Sequence, residues 1–148
     1  MLKNMVSDKG SLRAKIVNKG FAEGPLLISL KPISFFGGVD PSTGILVERN
    51  HPLEGVSISK RILAVPSSKG STVGSYIIYG LVKKGVAPSG IILGQVDSII
   101  SAGAILSGIP TVVANIKKLQ SLFKDGDIVI LDAEKGRIVK KTPVPRVG

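Results

Sequence analysis

The residues best equipped for chemistry lie together in Pro66-Ser67-Ser68-Lys69-Gly70-Ser71, three hydroxyls around one ammonium group, directly after the strand-like run Arg61 to Val65. A serine takes up a proton poorly unless the alkoxide it becomes is stabilised. A loop that leaves a strand and enters a helix offers that stabilisation, through free N–H groups and the partial positive charge of the helix amino terminus. Lys69 adds a full positive charge. The loop therefore gathers hydroxyls and a cation where an alkoxide or a bound anion would be stabilised. The same serines are equally suited to capping the following helix, the usual role of a serine in that position. Gly70-Ser71-Thr72-Val73-Gly74 has the glycines of a phosphate-cradling loop without its Gly-Lys-Ser/Thr ending. It reads as a tight turn whose amides line the same site.

Other positions carry weaker signals. Asp40-Pro41-Ser42-Thr43-Gly44 is made of turn residues, and is either a plain turn or a loop through which Asp40 and Thr43 meet substrate or a partner chain. The single histidine, His51, precedes Pro52 and reads as a loop residue in preference to a catalytic one. Gln95 and Asp97 follow an apolar run and are placed to face the site, Asp97 being equally suited to capping a helix. With no cysteine in 148 residues, the chain offers neither a disulfide nor a thiolate ligand for zinc or an iron–sulfur cluster. Any such metal has to come from a partner.

The elements that must position these residues follow from hydrophobic period and turn chemistry. Extended segments are expected at Leu12 to Val17 and Leu26 to Leu30, with turns around Lys19-Gly20 and Glu23-Gly24-Pro25, and further strands at Ile45 to Glu48 and Arg61 to Val65. A helix over Tyr76 to Val82 ends at the basic turn Lys83-Lys84-Gly85. The unit then repeats: strand Gly90 to Leu93, helix Asp97 to Leu106 stopped by Ser107-Gly108, strand Thr111 to Ala114 and helix Ile116 to Phe123. Strands Ile128 to Asp132 and Arg137 to Lys141 finish the pattern around a turn at Glu134-Lys135-Gly136. A β-rich first half and an alternating second half predict an α/β domain with helices covering one side of a sheet assembly. The length suits one domain over residues 1–148, with 142–148 as an irregular arm bearing Pro143 and Pro145.

Twenty basic against ten acidic residues give a formal charge of +10, spread in ones and twos with no block of five. That leaves a solvated basic surface or attraction of a phosphate or carboxylate substrate. A nucleic-acid partner is disfavoured, because six aromatics without an RNA-binding pattern give bases little to stack on. The apolar runs fall short of the ~20 residues that span a bilayer, and Met1 to Met5 lead into polar residues without a signal-peptide core, so a cytoplasmic location away from membranes is expected.

Two groups of motifs resemble known families. Gly108-Ile109-Pro110-Thr111-Val112-Val113, Leu122 to Val129 and Gly136-Arg137-Ile138-Val139 resemble the swivelling β/β/α domain of phosphoenolpyruvate-utilising enzymes. The phosphorylated histidine of that family would fall at Ile99, so this resemblance supports the fold and argues against phosphoryl carriage. Gly37-Gly38-Val39-Asp40-Pro41-Ser42-Thr43-Gly44, Pro66 to Ser71 and Gly74-Ser75-Tyr76 are similar to the small subunit of aconitase X, over nearly the whole chain. That resemblance implies a swivelling β/β/α domain like the fourth domain of aconitase, docked as a heterodimer on a large subunit that carries the iron–sulfur cluster. Aconitase has Ser-Ser-Arg at the matching place, its first serine a base and its arginine a carboxylate contact. Ser67 is thereby implied as proton acceptor, Ser68 in the alternate register, and Lys69, Gly70 and Ser71 as substrate contacts. Lysine for arginine gives up a bidentate fork for a point charge.

The family's branches dehydrate mevalonate 5-phosphate, to anhydromevalonate phosphate, or cis-3-hydroxyproline. A separate chain and a basic surface favour the phosphorylated acid. The rival from another class is a non-catalytic swivelling or adaptor domain that binds an anionic partner.

Overall fold

Strands β3 (Phe21–Ile28), over its last residues Leu26 to Ile28, β4 (Ile62–Val65), β5 (Gly90–Leu93) and β6 (Thr111–Val113) pair in parallel, and β4 and β5 read as apolar runs because both of their faces are buried. These belong to a computed structural model that describes residues 10–141; the expected arm at 142–148 lies outside it. Successive side chains on a strand face opposite ways. Leu27, Leu63, Val65, Ile91 and Leu93 accordingly meet Ile78 and Leu81 of helix α1 (Gly74–Lys84) and Ile100 and Ala104 of helix α2 (Ser98–Ser107). Their neighbours Leu26, Ile62, Ala64, Ile92 and Val112 face a second core with Val129, Leu131 and Ile138. Those three come from β7 (Ile128–Asp132) and β8 (Arg137–Lys140), the antiparallel layer. The layers are thus β, β and α. Helices α1 and α2 cover the expected helical side, with Phe35 of a short helical turn packed beside them; α3 (Ile116–Leu122) sends Leu119 into the second core, joined there by Phe123.

The sheet order is β1-β8-β7-β3-β4-β5-β6-β2, where β1 is Ser11–Arg13 and β2 is Lys15–Asn18. Only Ala14 separates the two end strands in sequence, so residues 11–18 bend across the open side and occupy both remaining edges. Ala14 N–H donates to Gly136 O at 2.9 Å. Gly136 has φ 75°, and a Cβ there would lie 2.5 Å from the Ala14 carbonyl oxygen, so only glycine fits the bend.

Two expectations fail here. Glu23-Gly24-Pro25 is not a turn but the middle of β3, which pairs with β7 over Phe21 to Pro25 and with β4 over Leu26 to Ile28. Leu26 N–H donates to Asp127 O on the β7 side, so the nitrogen of Pro25, one residue earlier in an alternating strand, faces the edge where no amide is needed. Ile45 to Glu48 is not a strand. It makes only the isolated bridges Val39↔Leu46 and Ile45↔Ser57, because β7 and β2 already occupy the edges beside β3 and β6. Buried Val39 and Leu46 instead fix this segment as a flap on the α1 side. The later elements follow the expected order, with αL glycines at Gly85 and Gly108 stopping α1 and α2.

Candidate active site

Val65 ends β4, and the chain continues beyond Pro66 by pairing with the segment that follows β3. Ile33 N–H donates to Ser67 O at 3.3 Å, and Lys69 N–H donates to Ile33 O at 3.1 Å. Ile33 is fully buried, so this bridge anchors the loop to the helix-side core. The loop therefore stands at the carboxyl edge of the parallel strands, the edge at which open α/β sheets hold ligands.

The two serines differ. Ser68 donates its N–H to Asp97 Oδ2 at 2.7 Å and its hydroxyl to the same carboxylate at 2.8 and 3.0 Å. Asp97 also accepts from Ile100 N–H at 2.8 Å as the N-cap of α2, so it caps a helix and faces the loop at once. Half-buried Ser67 uses its carbonyl for Ile33, while its hydroxyl makes no hydrogen bond to the described residues. Neither serine caps α1. That helix starts at Gly74, preceded by Val73 in αR conformation without a side-chain cap, and it is Ser71 Oγ that accepts from Val73 N–H at 3.1 Å. The expected support of Ser67 and Ser68 by the amino terminus of α1 is overturned with it, because the turn at Ser71-Thr72-Val73 intervenes. Gly70 has φ 93°, and a Cβ there would meet Ser34 Oγ at 2.9 Å, so the loop passes close over the segment below it.

Lys69 does not stand alone. Its Nζ lies 2.7 Å from Glu48 Oε2, and Glu48 Oε1 accepts from Ser34 N–H at 3.1 Å. Glu48 is delivered by the flap, where Val47 and Glu48 N–H groups both donate to Gly38 O. No local pattern in the sequence marks Glu48; the flap brings it to Lys69 only in three dimensions. Burial opposes ionisation of Glu48, but the hydrogen bond and charge of Lys69 and the Ser34 amide outweigh it and hold its carboxyl below the ordinary value of 4.5. A depressed folded-state value means that the stabilisation is present above the unfolded value and is lost as pH falls through the folded one. Glu48→Gln is therefore expected to be less stable than the parent by about 0.5–1 kcal/mol at pH 7, with the two converging as pH falls through the depressed folded-state value. Denaturant melts across that range check it; a gap that does not change with pH would show that the carboxylate is not the source.

The structure does not bring Asp40 and Thr43 to this loop. Asp40 Oδ1 accepts from Ser42 N–H at 2.9 Å and Ser42 Oγ at 2.7 Å, and Thr43 Oγ1 accepts from Ile45 N–H at 3.2 Å. The Ser42 amide and hydroxyl hold the Asp40 carboxyl below its ordinary value, with help from Thr43, so turn chemistry accounts for it. Gly44 packs on Val86 O beyond the far end of α1, and its carbonyl accepts from Ile58 N–H before β4 begins, which places the tip of the flap at the opposite edge of the sheet from Ser67. His51 is buried, accepting from Leu53 N–H through Nδ1 at 3.0 Å, so its Nε2 carries the proton and donates to Pro32 O at 3.1 Å. It is a structural loop residue. Gln95 is exposed and borders an open cleft of about 770 Å³ that starts at Pro66 and Gly94.

An apolar rim frames the loop: Phe36, Val73, Tyr76 and Val96 are 55%, 40%, 71% and 69% exposed. Among the described residues no group of three His, Cys, Asp or Glu side chains could hold a metal, and no helix is long and apolar enough to cross a membrane. With no cysteine and its one histidine bonded to backbone on both ring nitrogens, the chain does not fit an iron–sulfur cluster.

Layer order and edge loop together define an aconitase-type swivelling β/β/α domain. Residues 11–140 match the family model of the aconitase X swivel domain, and the chain belongs to that family. It is 47% identical over 128 residues to the phosphomevalonate dehydratase small subunit of Pyrococcus furiosus, covering 86% of this chain and 92% of the relative. The protein of the same name from Methanothermobacter thermautotrophicus is 44% identical over 124 residues, 84% of this chain and 95% of the relative. Among solved structures, holo-form aconitase X from Thermococcus kodakaraensis is similar with TM-score 0.83 and 42% identity, over 89% of this chain and 98% of that one.

Proposed function

We propose that the chain is the small subunit of a two-subunit hydro-lyase that dehydrates mevalonate 5-phosphate to anhydromevalonate phosphate, and that Ser67 takes the proton. The observation that carries the role of Ser67 is the contrast between the two serines. Ser68 has committed its proton to Asp97, while Ser67, one residue away, has a hydroxyl that makes no hydrogen bond among the described residues. Such a hydroxyl can accept a proton from carbon and pass its own to water or to the partner subunit. Lys69, paired with Glu48 at 2.7 Å, is the cation of this loop, and together with Gly70 and Ser71 it is assigned to contact the substrate carboxylate. Dehydration also needs a Lewis acid on the departing hydroxyl. This chain lacks its ligands, so we assign that group, an iron–sulfur cluster, to the large subunit.

The exposed rim around the loop supports docking of that subunit, since apolar side chains beside a reactive loop are suited to being covered. A soluble, cytoplasmic complex without nucleic-acid contacts is part of the same reading. The Asp40 to Thr43 turn, remote from Ser67, is left to contact the large subunit in place of the substrate.

The test is reconstitution. Alone, the purified chain is expected to turn over no mevalonate 5-phosphate; mixed anaerobically with the large subunit, it should yield a product that has lost one water. Substantial turnover by the chain alone would remove the two-subunit reading. Activity of the complex on cis-3-hydroxyproline with none on mevalonate 5-phosphate would move the substrate to the other branch of the family.

A further inference from the structure

At pH 7 a phosphate monoester carries about 1.5 to 2 negative charges in addition to the carboxylate of such a substrate. The loop around Ser67 is poorly matched to that load. Its one cation, Lys69, is already paired with Glu48 at 2.7 Å, so the pair is close to neutral as a whole.

The unpaired positive charge lies on the other side of Pro66. The cleft of about 770 Å³ that begins at Pro66 and Gly94 runs along the carboxyl edge of β4, β5 and β6 and is walled by Arg13, Lys15 and Lys117. No carboxylate lines it, and none of the three cations takes part in an ion pair among the described residues. Arg13 and Lys15 flank Ala14, the bend at which residues 11–18 close the sheet, and so belong to a segment fixed by pairing on both sides. Gly94 keeps the floor open: a Cβ there would lie 3.0 Å from both Pro66 Cα and Ile116 Cγ1.

The cleft opens beside Ser67 and is longer than the distance the substrate has to reach into it. From the end of β4 to the end of β6 is two strand spacings, roughly 10 Å. In mevalonate 5-phosphate five bonds separate the carbon that loses the proton from phosphorus, a reach of about 6 Å.

We infer that this cleft is the subsite for the phosphate monoester end of the substrate, with Arg13, Lys15 and Lys117 as its cations. The inference rests on the proposed dehydratase reading and extends it: Ser67 works at the carboxylate end of the molecule while the cleft holds the other end. These side chains are exposed in the isolated domain, and contact with a phosphate in the closed complex gives them charge-assisted hydrogen bonds, bidentate in the case of Arg13.

The experiment uses the complex reconstituted with its large subunit and the triple variant Arg13→Gln, Lys15→Gln, Lys117→Gln, with the three single variants beside it. Mevalonate 5-phosphate is the substrate, inorganic phosphate the competing probe, and affinity for the large subunit is measured in parallel. Loss of binding shared by ground and transition states raises KM and leaves kcat unchanged. The triple variant is expected to show a KM raised 10- to 100-fold, near-parental kcat, weaker inhibition by phosphate and unchanged affinity for the large subunit. Parental KM and phosphate inhibition would overturn the inference and leave the dehydratase reading intact. A weakened affinity for the large subunit, with KM restored when that subunit is saturating, would overturn it in favour of a docking surface. Failure of the parent complex to use mevalonate 5-phosphate would instead strike the dehydratase reading, and the subsite would fall with it.

Discussion

Ser67→Ala in the reconstituted complex is expected to slow turnover roughly 10²- to 10⁴-fold, equivalent to about 3 to 5.5 kcal/mol in the barrier. Its stability should hardly change, since the Ser67 hydroxyl makes no hydrogen bond to the described residues and caps no helix. The two neighbouring serines give the contrast. Ser68→Ala deletes a hydroxyl that donates to a carboxylate and should cost about 1.5–3 kcal/mol of stability with a milder loss of turnover. Ser71→Ala removes the acceptor for Val73 N–H and should cost about 1 kcal/mol, with a milder loss of turnover than Ser67→Ala. Steady-state rates and denaturant melts on the same three variants separate the cases. A large rate loss at Ser68 alone would move the base by one residue, and parental rates in all three would remove serine base catalysis.

The second large effect is expected at Asp97. Its carboxylate is the acceptor for Ser68 N–H, the Ser68 hydroxyl and Ile100 N–H, so Asp97→Ala unpairs three donors at a partly buried junction. Loss of the cap contributes about 1 kcal/mol and loss of the charge-assisted bonds about 1.5–3 kcal/mol, together roughly 2.5–4 kcal/mol. For a chain of this size that is a fall in melting temperature of roughly 5 to 15 °C. Asp97→Asn keeps an acceptor for the α2 cap and should recover a good part of the stability. Because Asp97 holds the loop through Ser68, kcat should fall in Asp97→Ala with the KM for mevalonate 5-phosphate little changed, whereas a purely structural role would leave the folded complex at parental kcat. Thermal melts and kinetics of both variants below their melting temperatures check this.

Much of the architecture was legible because short-range chemistry decides it. Gly90-Ile91-Ile92-Leu93 and Ile128 to Asp132 read as strands from their apolar runs and flanking turns, and form β5 and β7 over the same residues. Gly85 and Gly108 stop their helices because the αL conformation costs glycine nothing. The motif Pro66 to Ser71 singled out the loop, since the residue types that chemistry requires are written there consecutively.

What the sequence left undecided are the features that depend on which distant segments meet. Gly24-Pro25 carries every local sign of a turn, yet it lies within β3 because Pro25 faces the edge on which β7 does not pair. Ile45 to Glu48 has the composition of a strand and becomes a flap because no sheet edge is left for it once residues 11–18 close the assembly. Asp97 reads on local grounds as either a helix cap or a site residue, and only the packing of α2 beside the loop makes it both. The pairing of Lys69 with Glu48, and the gathering of Arg13, Lys15 and Lys117 around one cleft, join segments far apart in the chain. The sequence by itself determined which residues are capable of the chemistry and which local runs become strands and helices. The tertiary structure alone decided which serine hydroxyl and which cations go unpaired among the described residues, because both depend on partners delivered by long-range burial of apolar side chains.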